Sequence, residues 1–276
     1  MDGRSTGLRG KLACRCVLVE TTSELVLVDT GLGLGDVAAP HKRLSHFFLR
    51  LLDPDFREEM TAVRQIEALG YSARDVQHIV LTHLDFDHAG GLDDFPEATV
   101  HMMHTEMDDA VKQKSWLDRQ RYRPLQWRSY ARWTTYEPTG TDRWFGFDAV
   151  RDLRGVPPEI LMVPLIGHTL GHAGIAIRDS GGWLLVAGDA YFDHDEMNIE
   201  KPRCLPGLRL YQRMMDKDHA QRVHNQQRLR ELIRDHGSDV KVICSHDPRE
   251  LELDMGRSLD IPPSPDLVRH DIQPQL

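Results

Sequence analysis

His83-Leu84-Asp85-Phe86-Asp87-His88, followed by Ala89-Gly90-Gly91, decides how this chain is read. Four side chains able to bind a metal fall within six residues. In extended backbone, side chains at i, i+2 and i+4 face one way, so His83, Asp85 and Asp87 can converge, with His88 joining at the turn. Carboxylates this close repel one another unless a cation or a proton intervenes, and a metal ion removes that cost directly.

The stretch continues an apolar run at 78–82, and four other runs end in the same manner. Residues 25–28 lead to Asp29, 160–166 to His168, 183–187 to Asp189 and 240–245 to His246. All five read as buried strands. Each delivers a carboxylate or imidazole at its C-terminal end, the edge at which ligands gather in layered α/β folds. Helices fill the gaps. Residues 57–69 place Met60, Val63, Ile66 and Leu69 at helical spacing, with Gly70 as a stop, and 105–117 and 219–235 are further candidates.

The rest of the chain bounds the answer. It has 276 residues, a net charge of −9 and 40% hydrophobic residues, enough for a full core without disulfides. The negative charge argues against a nucleic-acid surface. No apolar stretch is long enough for a membrane span. MDGRSTGLRGK at the start lacks the apolar core of a signal peptide. The four cysteines form no CxxC pair and read as reduced thiols of a cytoplasmic protein. No GxSxG elbow supports serine hydrolase chemistry. We expect one domain over 1–276, with an insertion capping the site at about 111–158 and a Pro-rich tail from about 261. The insertion holds four of the five Trp and many Arg but no chemistry motif. Residues 41–55, rich in Leu and Phe, read either as a packed or dimer-forming helix or as a lid. A homodimer is consistent with the first.

THLDFDHAGG resembles the HxHxDH signature of the metallo-β-lactamase superfamily. The other motifs follow in order: Asp29 in VDTG, His168 in GHTLGHAG, Asp189 in GDA and His246 in CSHD. The resemblance implies an α/β fold, an αββα sandwich. It implies two divalent transition-metal ions, zinc first, with iron, manganese or cobalt as alternatives. His83, Asp85 and His168 would hold one ion. Asp87, His88 and His246 would hold the other, with Asp189 shared. A hydroxide between the ions would attack a small-molecule substrate. Among branches of the superfamily, the pieces look most like the N-acyl homoserine lactone hydrolases, so the expected reaction is cleavage of a lactone or ester.

One position departs from the pattern: Asp85 stands where the signature has its second His. It either ligates as a shorter, anionic donor, or faces away or only supports a neighbour. It also prompts the alternative of an iron-dependent oxidoreductase, diiron or persulfide-dioxygenase-like, on the same fold. Asp87, Asp189 and Tyr191 are the candidate catalytic residues, Tyr191 either polarising a carbonyl or simply packing. Asp29 and His172 read as orienting residues, and His101 and His104 as non-ligands.

Overall fold

The described residues form two five-stranded sheets and a two-stranded hairpin, and alternating apolar residues show how the two large sheets stack. A computed structural model describes residues 11–259 except Ser23, Ala131, Pro138 and Ala149, so the Pro-rich tail lies outside the described residues. The first sheet holds β1 (Val17–Glu20), β2 (Leu25–Val28), β3 (Val76–Val80), β4 (Thr99–Met103) and β5 (Trp133–Tyr136) in that order. A hairpin follows, β6 (Arg143–Trp144) with β7 (Phe147–Asp148). The second sheet holds β8 (Arg151–Asp152), β9 (Ile160–Pro164), β10 (Ala173–Asp179), β11 (Gly182–Val186) and β12 (Val240–Ile243). β2 to β5 run parallel, as do β11 and β12; the remaining pairs are antiparallel.

Strand side chains alternate between faces, and β2 shows the consequence. Val26 and Val28 pack with Met162, Ile175, Val186 and Ile243 of the second sheet. Leu25 and Leu27 turn outward, onto Val63 and Ile66 of the helix Ala62–Ala68. On the far side, Val163, Ala176 and Leu185 meet Leu229 and Leu232 of the helix His219–His236. The layers are therefore helix, sheet, sheet, helix, as the resemblance implied.

Boundaries differ from expectation where side chains compete for backbone groups. The run 78–82 is a strand only to Val80, because the Thr82 N–H goes to the Asp29 carboxylate. The helix expected at 57–69 breaks at Thr61, whose backbone is extended. That at 105–117 divides into His104–Lys112 and Trp116–Arg121. Gln113 turns left-handed at the end of the first, and Ser115 caps the second.

The segment 41–55 is packing rather than a lid. Leu44 and Phe48 are buried with Phe86 and Met215, so the helix His46–Leu52 braces the loop carrying Asp85 and Asp87. The segment 111–158 supplies an edge strand to each sheet, β5 and β8, besides the hairpin. Among the described residues, no helix is long and apolar enough to cross a membrane.

Candidate metal centre

Side chains leave five strand ends and meet at one edge of the sandwich. All seven residues expected as ligands converge there. Asp189 is central: its Oδ2 lies 3.1 Å from His246 Nε2, 3.4 Å from His168 Nε2 and 3.8 Å from His83 Nε2. Its Oδ1 lies 3.3 Å from His88 Nε2. Asp87 Oδ2 is 3.7 Å from His246 Nε2, and Asp85 Oδ2 is 3.1 Å from His168 Nε2. Except for Asp87, whose side chain is 13% exposed, the seven are almost fully buried.

The imidazoles are aimed by partners on their other nitrogens. His88 Nδ1 sits 2.8 Å from Asp29 Oδ2, His246 Nδ1 2.6 Å from the Ala13 carbonyl and His83 Nδ1 2.9 Å from Thr82 Oγ1. Each Nε2 is thereby turned inward, the arrangement that fixes a metal-ligating histidine. Asp29, in left-handed backbone at φ 56°, also accepts from Thr82 N and Oγ1. It orders the loops, as read from the sequence. His172 does the same for Asp189: its Nδ1 contacts the Leu165 carbonyl at 2.9 Å, and its Nε2 accepts the Asp189 N–H at 2.9 Å. His101 is engaged with His78 and Tyr136, away from the centre.

Three buried polar atoms in this cluster have no hydrogen-bond partner: His83 Nε2 and Asp189 Oδ1, which face the other donors, and His168 Nδ1. Buried polar atoms are nearly always paired, so these orphans and the mixed imidazole and carboxylate donor set fit a divalent transition-metal ion. His83, His88 and Asp189 each bring a ligand atom within 4.8 Å of the others.

Burial would raise the Asp189 carboxyl, but His246, His88 and His168 outweigh it and hold the group well below the usual range. Burial would lower His88 and His246, yet Asp189 raises both well above an ordinary imidazole, helped by Asp29 at His88. An incoming ion must therefore displace protons from these rings. Zinc uptake should release protons into a weakly buffered solution, and apparent affinity should fall as pH drops from about 8 to about 6. Equal affinity across that range would show that neither ring binds the ion.

Tyr191 requires correction. The chain turns it into the core, where its hydroxyl donates to Glu250 Oε1 at 2.9 Å. It cannot reach a substrate carbonyl from there. Phe192 instead faces the centre, stacked on His246 with ring centroids 4.8 Å apart. Tyr211 packs on Phe192 from the helix Pro206–Met215. Burial raises its phenol well above its ordinary pKa, as do the nearby Asp87, Asp189 and Asp85.

Three further residues escaped the sequence reading. Cys14 Sγ lies within 4.8 Å of ligand atoms of Asp87 and His246. Glu106 accepts from Leu84 N at 3.0 Å and Gly171 N at 3.1 Å, tying the first donor loop to the loop after His168; burial lifts its pKa to about 7. Arg121, fully buried, donates from Nε to Asp85 Oδ1 at 2.7 Å and from Nη2 to Asp85 Oδ2 at 2.6 Å. Nothing but the count of arginines in 111–158 hinted at it.

The sequence profile of the metallo-beta-lactamase superfamily matches residues 9–246. This chain belongs to the metallo-beta-lactamase superfamily. Within the superfamily it is similar to a probable metallo-hydrolase of Mycobacterium tuberculosis, 39% identical over 242 residues, covering 88% of this chain and 77% of that one. It is 25% identical over 188 residues to an N-acyl homoserine lactonase of Bacillus thuringiensis, covering 68% and 67% of the two chains. Among solved metallo-beta-lactamase folds, an N-acyl homoserine lactone hydrolase with N-hexanoyl-L-homoserine at its catalytic metal centre superposes with a TM-score of 0.66. That match is 22% identical and covers 91% of this chain and 88% of the other.

Proposed function

We propose that the protein is a metal-dependent hydrolase of a small ester-like bond, a lactone or an ester, working with zinc or another divalent transition metal. The observation that carries this is the convergence of seven imidazole and carboxylate donors, with His83 Nε2 and Asp189 Oδ1 left unpaired among them. The hydrolase and lactonase names of the relatives point to the same chemistry.

A bound ion supplies Lewis acidity and acidifies water towards neutral pH. Asp189, His88, His246, Asp87 and His83 are the residues to hold it. The protein's own contribution is placement. Asp189 presents one carboxylate oxygen to the imidazoles of His168, His83 and His246, and the other to His88. Asp87, the least buried donor, is the carboxylate best placed to take up a proton from the reacting water and pass it outward. The half-buried Tyr211, packed on Phe192, keeps its phenolic proton and can donate it to a departing alkoxide. Phe192 excludes water over His246.

The oxidoreductase alternative began with Asp85 as an iron ligand. Both oxygens of that carboxylate are engaged by Arg121, which removes its motivation.

The test is elemental analysis of purified protein followed by a panel of lactones and aryl esters. Turnover of at least one class, abolished by a chelator and restored by zinc, is expected. Metal-loaded protein that hydrolyses no member of either class would overturn the reading.

A further inference from the structure

We propose that the Arg121 guanidinium occupies the place of one of two metal ions, so that the centre holds a single ion among His83, Asp87, His88, Asp189 and His246. This inference rests on the metal-dependent reading above.

Three donors would form the other ion site: His83, Asp85 and His168, whose ligand atoms lie within 4.8 Å of one another. Arg121 holds two of them. Its fork grips both oxygens of Asp85, and Nη2 also lies 2.8 Å from His168 Nε2. A guanidinium has only donors to offer and stays charged in proteins. His168 Nε2 is also 3.1 Å from Asp85 Oδ2, so guanidinium, imidazole and carboxylate already fill the space that an ion between His168 and Asp85 would need.

The arginine is built in. Nη1 donates to the Met215 carbonyl at 2.6 Å. The helix that ends at Arg121 is capped by Ser115, and Lys217 fastens Asp118 of that helix at 2.6 Å. Tyr122, the next residue, forms a backbone bridge with Asp85 itself. Guanidinium and carboxylate are thus delivered to each other by adjoining backbone as well as by charge.

The departure from the HxHxDH pattern now has a cause. An imidazole at position 85 would leave a buried guanidinium without a counter-ion, and a carboxylate supplies one.

The test counts ions. Full-length protein is stripped with a chelator, titrated with zinc, freed of excess by gel filtration and measured by elemental mass spectrometry. The wild type is expected to retain one zinc per chain. The double variant Asp85→His with Arg121→Met, which restores the imidazole and removes the cation, is expected to retain two. Cobalt gives a second reading on the wild type alone, should the variant fail to fold: a lone cobalt(II) gives an uncoupled high-spin paramagnetic resonance signal, whereas a pair sharing Asp189 couples. Two zincs in the wild type, or a coupled cobalt pair, would overturn the role of Arg121 and leave the metal-dependent reading standing. So would a double variant with native circular dichroism that still holds one. No bound metal at all would overturn the metal-dependent reading and this inference with it.

Discussion

Replacing Asp189 with asparagine is expected to cut turnover ~10²–10³-fold at saturating metal, the usual loss when electrostatic placement at a reacting centre is removed. Asp189 lies within 3.8 Å of four imidazoles at once. Asparagine keeps its size but removes the charge that holds His88 and His246 in place. Asp29→Asn should cost less, about 10–100-fold, because Asp29 touches only the outer nitrogen of His88 and the Thr82 groups. Both rates must be read with metal in excess, so that weaker binding does not pass for slower chemistry. Near wild-type turnover in Asp189→Asn, with Asp29→Asn inactive but folded, would reverse the two roles.

Gly188→Ala should destabilise the protein strongly through a single methyl beside the centre. Gly188 precedes Asp189 with φ 56°, in left-handed backbone that costs alanine about 1–2 kcal/mol. A Cβ there would lie 2.5 Å from His172 Nε2 and 3.1 Å from Thr82 Cβ. Neither neighbour can retreat. His172 is pinned to the Leu165 carbonyl, and Thr82 to Asp29. Overpacking adds roughly 1–3 kcal/mol, so urea denaturation should show a loss of about 3 kcal/mol in all. Gly70→Ala is the control, since Gly70 has φ 93° with nothing within 4 Å of the added carbon. It should lose the backbone part alone, about 1 kcal/mol. Equal losses in the two variants would mean that His172 and Thr82 give way and that Asp189 is not held as tightly as the distances say.

That these imidazoles and carboxylates gather at one edge was legible because each strand announces itself as an apolar run and a polar group follows at its end, as His83 follows Val80 and Asp189 follows Val186. The sandwich was legible through the family resemblance, and the burial alternation of β2 bears it out. What the sequence hid is whatever depends on direction after a turn. Asp189-Ala190-Tyr191-Phe192 gives no sign of whether Tyr191 or Phe192 faces inward, and the structure chooses Phe192. Arg121 and Glu106 were hidden for another reason. They reach the centre from helices distant in sequence, and a lone Arg or Glu on a helix reads as surface charge until its burial is known. Both are fully buried.

The donor atoms come from both sheets. His88 and His246 face each other at 3.4 Å, though 158 residues of chain separate them. An unfolded chain keeps only the donors of 83–88 close together, so an ion held by the full set would bind the native state more tightly. By mass action, free ion at a hundred times its dissociation constant adds about 2.7 kcal/mol to the stability of such a protein. The melting temperature of this chain would then report the free-metal concentration around it, and a chelator would act as a mild denaturant from a distance, loosening the seam between the sheets.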